Sequence, residues 1–412
     1  MSTTTPEAPP PAEPQIGAAP AQLPASRREF FQRFRQGELG SIRVLVLLAI
    51  IWTIFQVQES RFLSAVNLTN LVLQITAIGL VSVGVVLVLL LGEIDLSVGA
   101  VSGLCAAIMA VLWVKHGWSP VLAVIVAIAA GAAIGTFQGF ISTRFGIPTF
   151  VVTLAGLLGW QGAQLKVLGE TGTVNLPPGF VTDLTSTFLA KGVGWIVAIA
   201  GIAVYALATL YGAQRRRAAG VTAPAPALLA VKIGAVAVAA LLSVYIVNQD
   251  RGVPLAALIL IGFVAGMDFI TRRTRFGRHI YAVGGNAEAS RRAGINVSRV
   301  RIAVFAIASS MAAIGGIMAA SRLLAVNQSS GGSDFLLLAI AGPVIAGTSL
   351  FGGRGSVWTA LLGALVIGSI SNGMDLLALT SPVKFMVTGA VLLGAVIIDA
   401  ATRQGRQAAG RV

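Results

Sequence analysis

Cysteine is almost absent. Cys105 stands alone among 412 residues, which excludes an internal disulfide and a cysteine metal site. Histidine is nearly as scarce: His116 and His279 fall in different loops, far apart in sequence, and read as surface side chains rather than a ligand pair. Charge is short as well, at 11% of residues, against roughly a quarter in an ordinary soluble domain. So few charges cannot cover a water-facing surface of this size. The chain also lacks a GxxxxGK[ST] run, and neither GRHIYAVGGN nor FGGRG carries a phosphate-cradling lysine. No His, Asp or Ser cluster lies at one depth, as a membrane-embedded enzyme would need.

What is present is apolar. The chain is 56% hydrophobic with a mean hydropathy of +0.87. Its apolar runs do not alternate, which argues against a membrane barrel and for helices that satisfy their own backbones in lipid. Twelve segments read as such helices: 42–57, 70–91, 96–114, 119–141, 147–168, 193–212, 227–247, 253–270, 299–321, 334–350, 356–376 and 382–400. Many are rich in Gly and Ala, which lets helices approach closely. The fold class expected is all-α, a polytopic membrane helix bundle of about twelve transmembrane helices.

The net charge of +14 is explained by where the charges sit rather than by nucleic acid. With the N-terminus inside and sides alternating, twenty-two of the 29 lysines and arginines fall on the cytoplasmic side. Both termini then face the cytoplasm. Residues 1–26, rich in Pro and Ala, read as a disordered tail, followed by basic RREFFQRFR at 27–35. The organisation expected is a tail at 1–35, a membrane domain at 36–402 and a short tail at 403–412. QRRRAAGVTAPAPA joins two segments into a helical hairpin over 193–247. Two stretches that break apolar runs, GEIDLSVGAV (92–101) and GTSLFGGRGSV (347–357), echo one another as a parallel repeat would.

The polar, basic loop over 271–298 holds a short helix bounded by its own sequence. Asn286 suits an N-cap, Glu288 the first turn, and Arg291 and Arg292 the last turn; Gly294 suits a stop. A helix this short is marginal in water and needs a surface to pack on. It is either a basic loop that fixes topology or a docking element for a cytoplasmic partner.

The residues Glu288-Ala289-Ser290-Arg291-Arg292-Ala293-Gly294 resemble the EAA loop of ATP-binding-cassette (ABC) importers. TRFGRHIYAVGGN (274–286), AGINVSRVR (293–301), GEIDLSVGA (92–100), GIPTFVVTLAG (146–156) and FGGRGSVWTALLGALVIG (351–368) resemble the monosaccharide permeases of that superfamily. Two departures stand out. Ser290 replaces the second Ala of the pattern, and the long N-terminus and extra hairpin exceed the ten-helix permease core. Those additions resemble the xylose permease branch, which makes D-xylose the expected substrate. The resemblance implies a homodimeric permease subunit of the plasma (bacterial inner) membrane. It implies a cytoplasmic ABC ATPase docked on Asn286, Glu288, Ala289, Arg291, Arg292 and Gly294, and a periplasmic sugar-binding protein on the other face. No cofactor or metal is expected in this chain.

Polar residues in or near the apolar runs are the gate and pathway candidates: Glu93, Asp95, Ser97, Gln161, Asn327 and Asn372. Each has a plainer reading. Asp95 or Ser97 can cap the third helix, and the amides can bond neighbouring helices. Two other transporter readings stay open at this point, an ion-coupled secondary sugar transporter and a branched-chain amino acid ABC permease.

Overall fold

The computed structural model describes residues 40–408, so the expectations for the tail at 1–35 and for the last four residues lie outside the described residues. Every one of the twelve apolar segments falls on a helix. These are α1 (Gly40–Gln58), α2 (Ala65–Leu90), α3 (Val98–Ala110, continued by a π-turn Val111–Lys115), α4 (Pro120–Phe145) and α5 (Thr149–Leu168), then α7 (Lys191–Ala218), α8 (Pro226–Asn248) and α9 (Leu255–Arg273), and finally α12 (Val297–Leu323), α13 (Ser333–Ile345), α14 (Trp358–Leu376) and α15 (Ser381–Ala408). Three further helices are short: α6 (Phe180–Ser186), α10 (Arg275–Gly285) and α11 (Ala287–Arg292). One two-stranded ribbon pairs β1 (Thr173–Asn175) antiparallel with β2 (Ala325–Asn327). The molecule is an all-α membrane helix bundle. Eight of its described helices are long and apolar enough to cross a membrane.

Two segments differ from expectation. The run 334–350 is helical only over Ser333–Ile345, because Gly347 turns the chain at φ 103°. At 13 residues, α13 rises about 20 Å, short of the ~30 Å hydrocarbon core. The last helix runs on to Ala408, past the expected end of its apolar segment at 400.

Helices α2 and α12 form the centre. Helix α2 is buried along nearly its whole length, from Asn67 to Leu90. Helix α12 packs along α4, α2 and α3. Lipid tails are as apolar as leucine, so close backbone approach must hold such a pair together. Gly131, Gly135 and Gly139 recur every four residues on α4 and lie against Ser309, Phe305 and Ile302 of α12. A Cβ at Gly135 would sit 2.1 Å from the Phe305 carbonyl oxygen, so this seam admits no side chain. The outer helices are the opposite case. Ile196, Ile199, Val204, Leu207 and Leu210 of α7 are all exposed, an apolar surface that fits lipid and would be a liability in water.

Candidate functional site

One end of the bundle gathers the stretches that the sequence singles out. The short helix α11 is capped as its sequence dictates: the Asn286 side chain accepts from the Ala289 N–H at 2.9 Å. Glu288 pairs with Arg291 at 3.0 Å and Arg292 at 3.2 Å, all three exposed. Gly294 takes φ 84°, a left-handed conformation that ends the helix. Ser290, the departure from the EAA pattern, is the buried residue of α11. Ala287 and Ile295 pack on the core cluster that contains Ile280, Val283, Val297 and Val300. The helix is therefore a seated rod. Ala287 and Ser290 face the bundle, and Glu288, Ala289, Arg291, Arg292 and Gly294 face out.

The stretch before this rod reads as a loop in the basic sequence 271–298, and it is a helix, α10. The signals were present. Thr274 caps Gly277 at 3.1 Å, and Phe276, Ile280 and Val283 recur with a helical period. Helix α10 joins the rod to the bundle. Gly284 lies so close to α2 that a Cβ there would be 1.8 Å from the Leu90 carbonyl oxygen. That same carbonyl accepts the Gly353 N–H at 2.9 Å, so the two loops that echo each other in sequence, after α2 and after α13, touch here. Tyr281 donates to the Gly355 carbonyl at 3.1 Å; burial pushes its phenol pKa up, which keeps it a donor. Arg272 pairs with Asp268 at 2.7 Å and donates to Ser356 at 2.9 Å.

Glu93 sits beside this junction. It pairs with Arg301 of α12 at 2.5 Å and accepts from the Thr149 hydroxyl, the first residue of α5. Neither Arg301 nor Thr149 was singled out from sequence. Asp95 is 4% exposed. Its Oδ1 accepts from the Ser97 N–H at 2.8 Å and the Ser97 hydroxyl at 2.7 Å, while its Oδ2 is buried without a partner. Ser97 stands at the N-cap position of α3 but makes no capping bond. It instead accepts from Gln138 Nε2 of α4 at 3.0 Å. The Trp160 indole N–H of α5 is also buried and unpartnered.

The remaining candidates lie at the other end and do not join this group. Asn372 and Asn67 exchange amide hydrogen bonds at 2.8 and 3.0 Å, tying α14 to α2. Asn327 is exposed in β2, its side chain accepting from Ser329 N–H at 2.9 Å. Gln161 is exposed on α5. The inward glutamine is Gln164, which donates to the carbonyls of Asn327 and Ser330 at 3.0 Å each. It lies on the stripe of Thr149, Thr153 and Leu168, the buried residues of α5.

A bundle of apolar helices, eight of those described long enough to cross a membrane, defines a polytopic membrane protein. Residues 67–396 match the family described as branched-chain amino acid transport system / permease component, and the chain belongs to that family. It is 37% identical over 361 residues to the xylose transport system permease protein of Escherichia coli K12, covering 88% of this chain and 90% of that one. The xylose permease of Haemophilus influenzae is 35% identical, with 88% and 96% covered. The ribose import permease of E. coli K12 is 31% identical, with 92% and 98% covered. No solved structure matches. The chain is thus a permease of the ABC importer class, most like those of monosaccharides, in a multi-pass inner-membrane setting. The family works with a separate ATPase and a periplasmic binding protein, and ATP hydrolysis belongs to that separate subunit.

Proposed function

We propose that this chain is the membrane subunit of a sugar importer and that its cargo is D-xylose. The α11 rod carries the mechanistic part of that reading. Its exposed Glu288, Ala289, Arg291, Arg292 and Gly294 offer a groove-filling, charged surface, and its buried side is tied through α10 to α2 and to the loop after α13. A push on the rod is therefore delivered to the central helices rather than lost in a loop. The choice of xylose rests on the higher identity to xylose permeases than to ribose permeases. The matching family's description names amino acids, but the similar relatives named above carry sugars in their names.

In this reading the rod end faces the cytoplasm, both termini lie there, and about twelve helices cross the membrane as a homodimer within lipid. The loop 271–298 docks the ATPase, and α7 with α8 is an added hairpin beside a ten-helix core. Glu93, Asp95 and Ser97 form the cytoplasmic gate, with Gln138 and Trp160 added. Gln161, Asn327 and Asn372 belong to the outer mouth. The orphaned Asp95 Oδ2 and Trp160 N–H are the hydrogen-bonding groups that a hydroxyl-rich cargo would satisfy.

The test is reconstitution in vesicles with the ATPase and the sugar-binding protein of the same system, measuring uptake of labelled xylose, ribose and leucine. ATP-dependent xylose uptake several times faster than ribose is expected. Leucine uptake would move the chain to the amino acid branch. Uptake on an ion gradient without the ATPase would overturn the importer reading.

A further inference from the structure

At the rod end, α7 and α9 stand apart and leave a cleft of about 720 Å³. Arg215, Arg216, Arg272 and Arg273 line it together with Tyr211, and no carboxylate does. The nearby Asp268 is already paired with Arg272. Arg215 stacks over the Tyr211 ring at 5.6 Å, while Arg216 and Arg273 have no side-chain partner among the described residues. Guanidinium groups collected in a concavity without counter-charge favour an anion with several acceptor oxygens.

A second cavity, about 480 Å³, runs along α9 and ends at Ile270, two residues before Arg272 of the first. Its walls are apolar, and Gly262 and Gly266 leave its floor open: no atom lies within 4 Å of where a Cβ would stand at either. From Leu258 to Ile270 the groove spans about 18 Å of helix, close to the ~15 Å depth of one leaflet. A phosphate alone would pair with the arginines and leave the groove bare. A molecule with an anionic head and a long apolar tail fills both.

We propose that the α7–α9 cleft is a site for an anionic phospholipid. Its phosphate lies among Arg215, Arg216 and Arg273, and one acyl chain lies along Gly262 and Gly266. Basic pockets between helices at the cytoplasmic surface are suited to such headgroups. A buried apolar anchor of the added hairpin, Val244 and Val247 with Trp195 and Leu258, lies at the opposite end. The lipid would join α7 to α9 at the rod end. This inference does not depend on which solute the permease carries.

Native mass spectrometry of the full chain tests it, with phosphatidylglycerol and phosphatidylcholine of matched chains. One retained phosphatidylglycerol is expected, at about tenfold or greater preference. The triple variant Arg215→Gln, Arg216→Gln, Arg273→Gln should lose that preference, and Gly262→Leu with Gly266→Leu should lose the bound lipid. Arg217→Gln removes an adjacent exposed charge that does not line the cleft, and should change nothing; its thermal melt and those of the other variants check folding. An equal loss in Arg217→Gln would overturn the proposal in favour of a diffuse field. Displacement of the lipid by inorganic phosphate, with the glycine variants unaffected, would overturn it in favour of a headgroup-only anion site. Dissociation of a dimer in the glycine variants, without lipid loss, would assign the groove to a second copy.

Discussion

Glu93 and Arg301 join the break after α2 to the start of α12 through a 2.5 Å ion pair, with side chains 18% and 26% exposed. The Thr149 hydroxyl adds the start of α5 to the same carboxylate. The break after α2 and the starts of α5 and α12 are thus pinned at one point. Partial exposure weakens such a pair, so its contribution to stability is about 1 kcal/mol. On the proposed function, its larger effect lies in coupling. Glu93→Gln and Arg301→Gln should each leave the protein folded while raising ATP hydrolysis per sugar moved. The combined swap Glu93→Arg with Arg301→Glu should recover part of the coupling. A double-mutant cycle on the uptake-to-hydrolysis ratio reads this; additive effects of the two single variants would show that the pair does not act as one.

The rod offers a cleaner separation of folding from function. Glu288→Arg removes two exposed pairs and places a cation at the positive end of a helix dipole, a cost of about 1 kcal/mol. Gly294→Asp forces a side chain into a left-handed conformation for a similar amount. Neither residue touches the core. Both variants should therefore insert and melt almost as the wild type does, while losing ATP-driven uptake. Pull-down with the ATPase separates the causes: Glu288→Arg should weaken the complex. Wild-type uptake in either variant would remove the docking role from α11.

Much of this end was legible in the sequence because its causes are local. Asn286, Glu288, Arg291, Arg292 and Gly294 cap and stop α11 through bonds to residues within four positions, and local bonds leave a readable pattern. Apolar runs likewise located twelve of the described helices, eight of them long and apolar enough to cross a membrane. What was hidden depends on contacts between distant segments. Nothing near Glu93 in sequence points to Arg301, more than 200 positions away. Asn372 gave no sign that its partner is Asn67 rather than a solute. Helix α10 had a readable period, but its basic residues masked it.

Gly284 is the most constrained joint between rod and bundle. A methyl group there would lie 1.8 Å from the Leu90 carbonyl, a contact no rotamer relieves. The neighbouring Gly285 has open space on the same criterion. Gly284→Ala should then cost about 1–3 kcal/mol through forced backbone movement and displace α10 from α2. Gly285→Ala should be near neutral or slightly stabilising, because a helical glycine gains from the substitution. Thermal melts in detergent compare the two, and equal melting temperatures would contradict the close packing of α10 on α2.

Asp95 carries the clearest pH signature. Burial is the largest cause of its shift and raises its pKa, against the lowering effect of the Ser97 hydrogen bonds. Between its ordinary value near 3.8 and its raised folded value, the native state holds the proton and the unfolded chain does not. Stability contributed by this group is thus fully present below 3.8 and falls as pH rises through the folded value, by at most about 1.4 kcal/mol per pH unit. Asn at this position can still accept from Ser97 through its Oδ1 and carries no charge to bury. Asp95→Asn should therefore melt at or above the wild-type temperature at neutral pH, and its melting temperature should lose this downward slope with pH. If the carboxylate also serves the passage of cargo, the same variant should slow uptake while gaining stability, the trade-off of a group retained for function. A variant that is less stable than wild type at neutral pH, with an unchanged pH slope, would show instead that the charged carboxylate supports the fold.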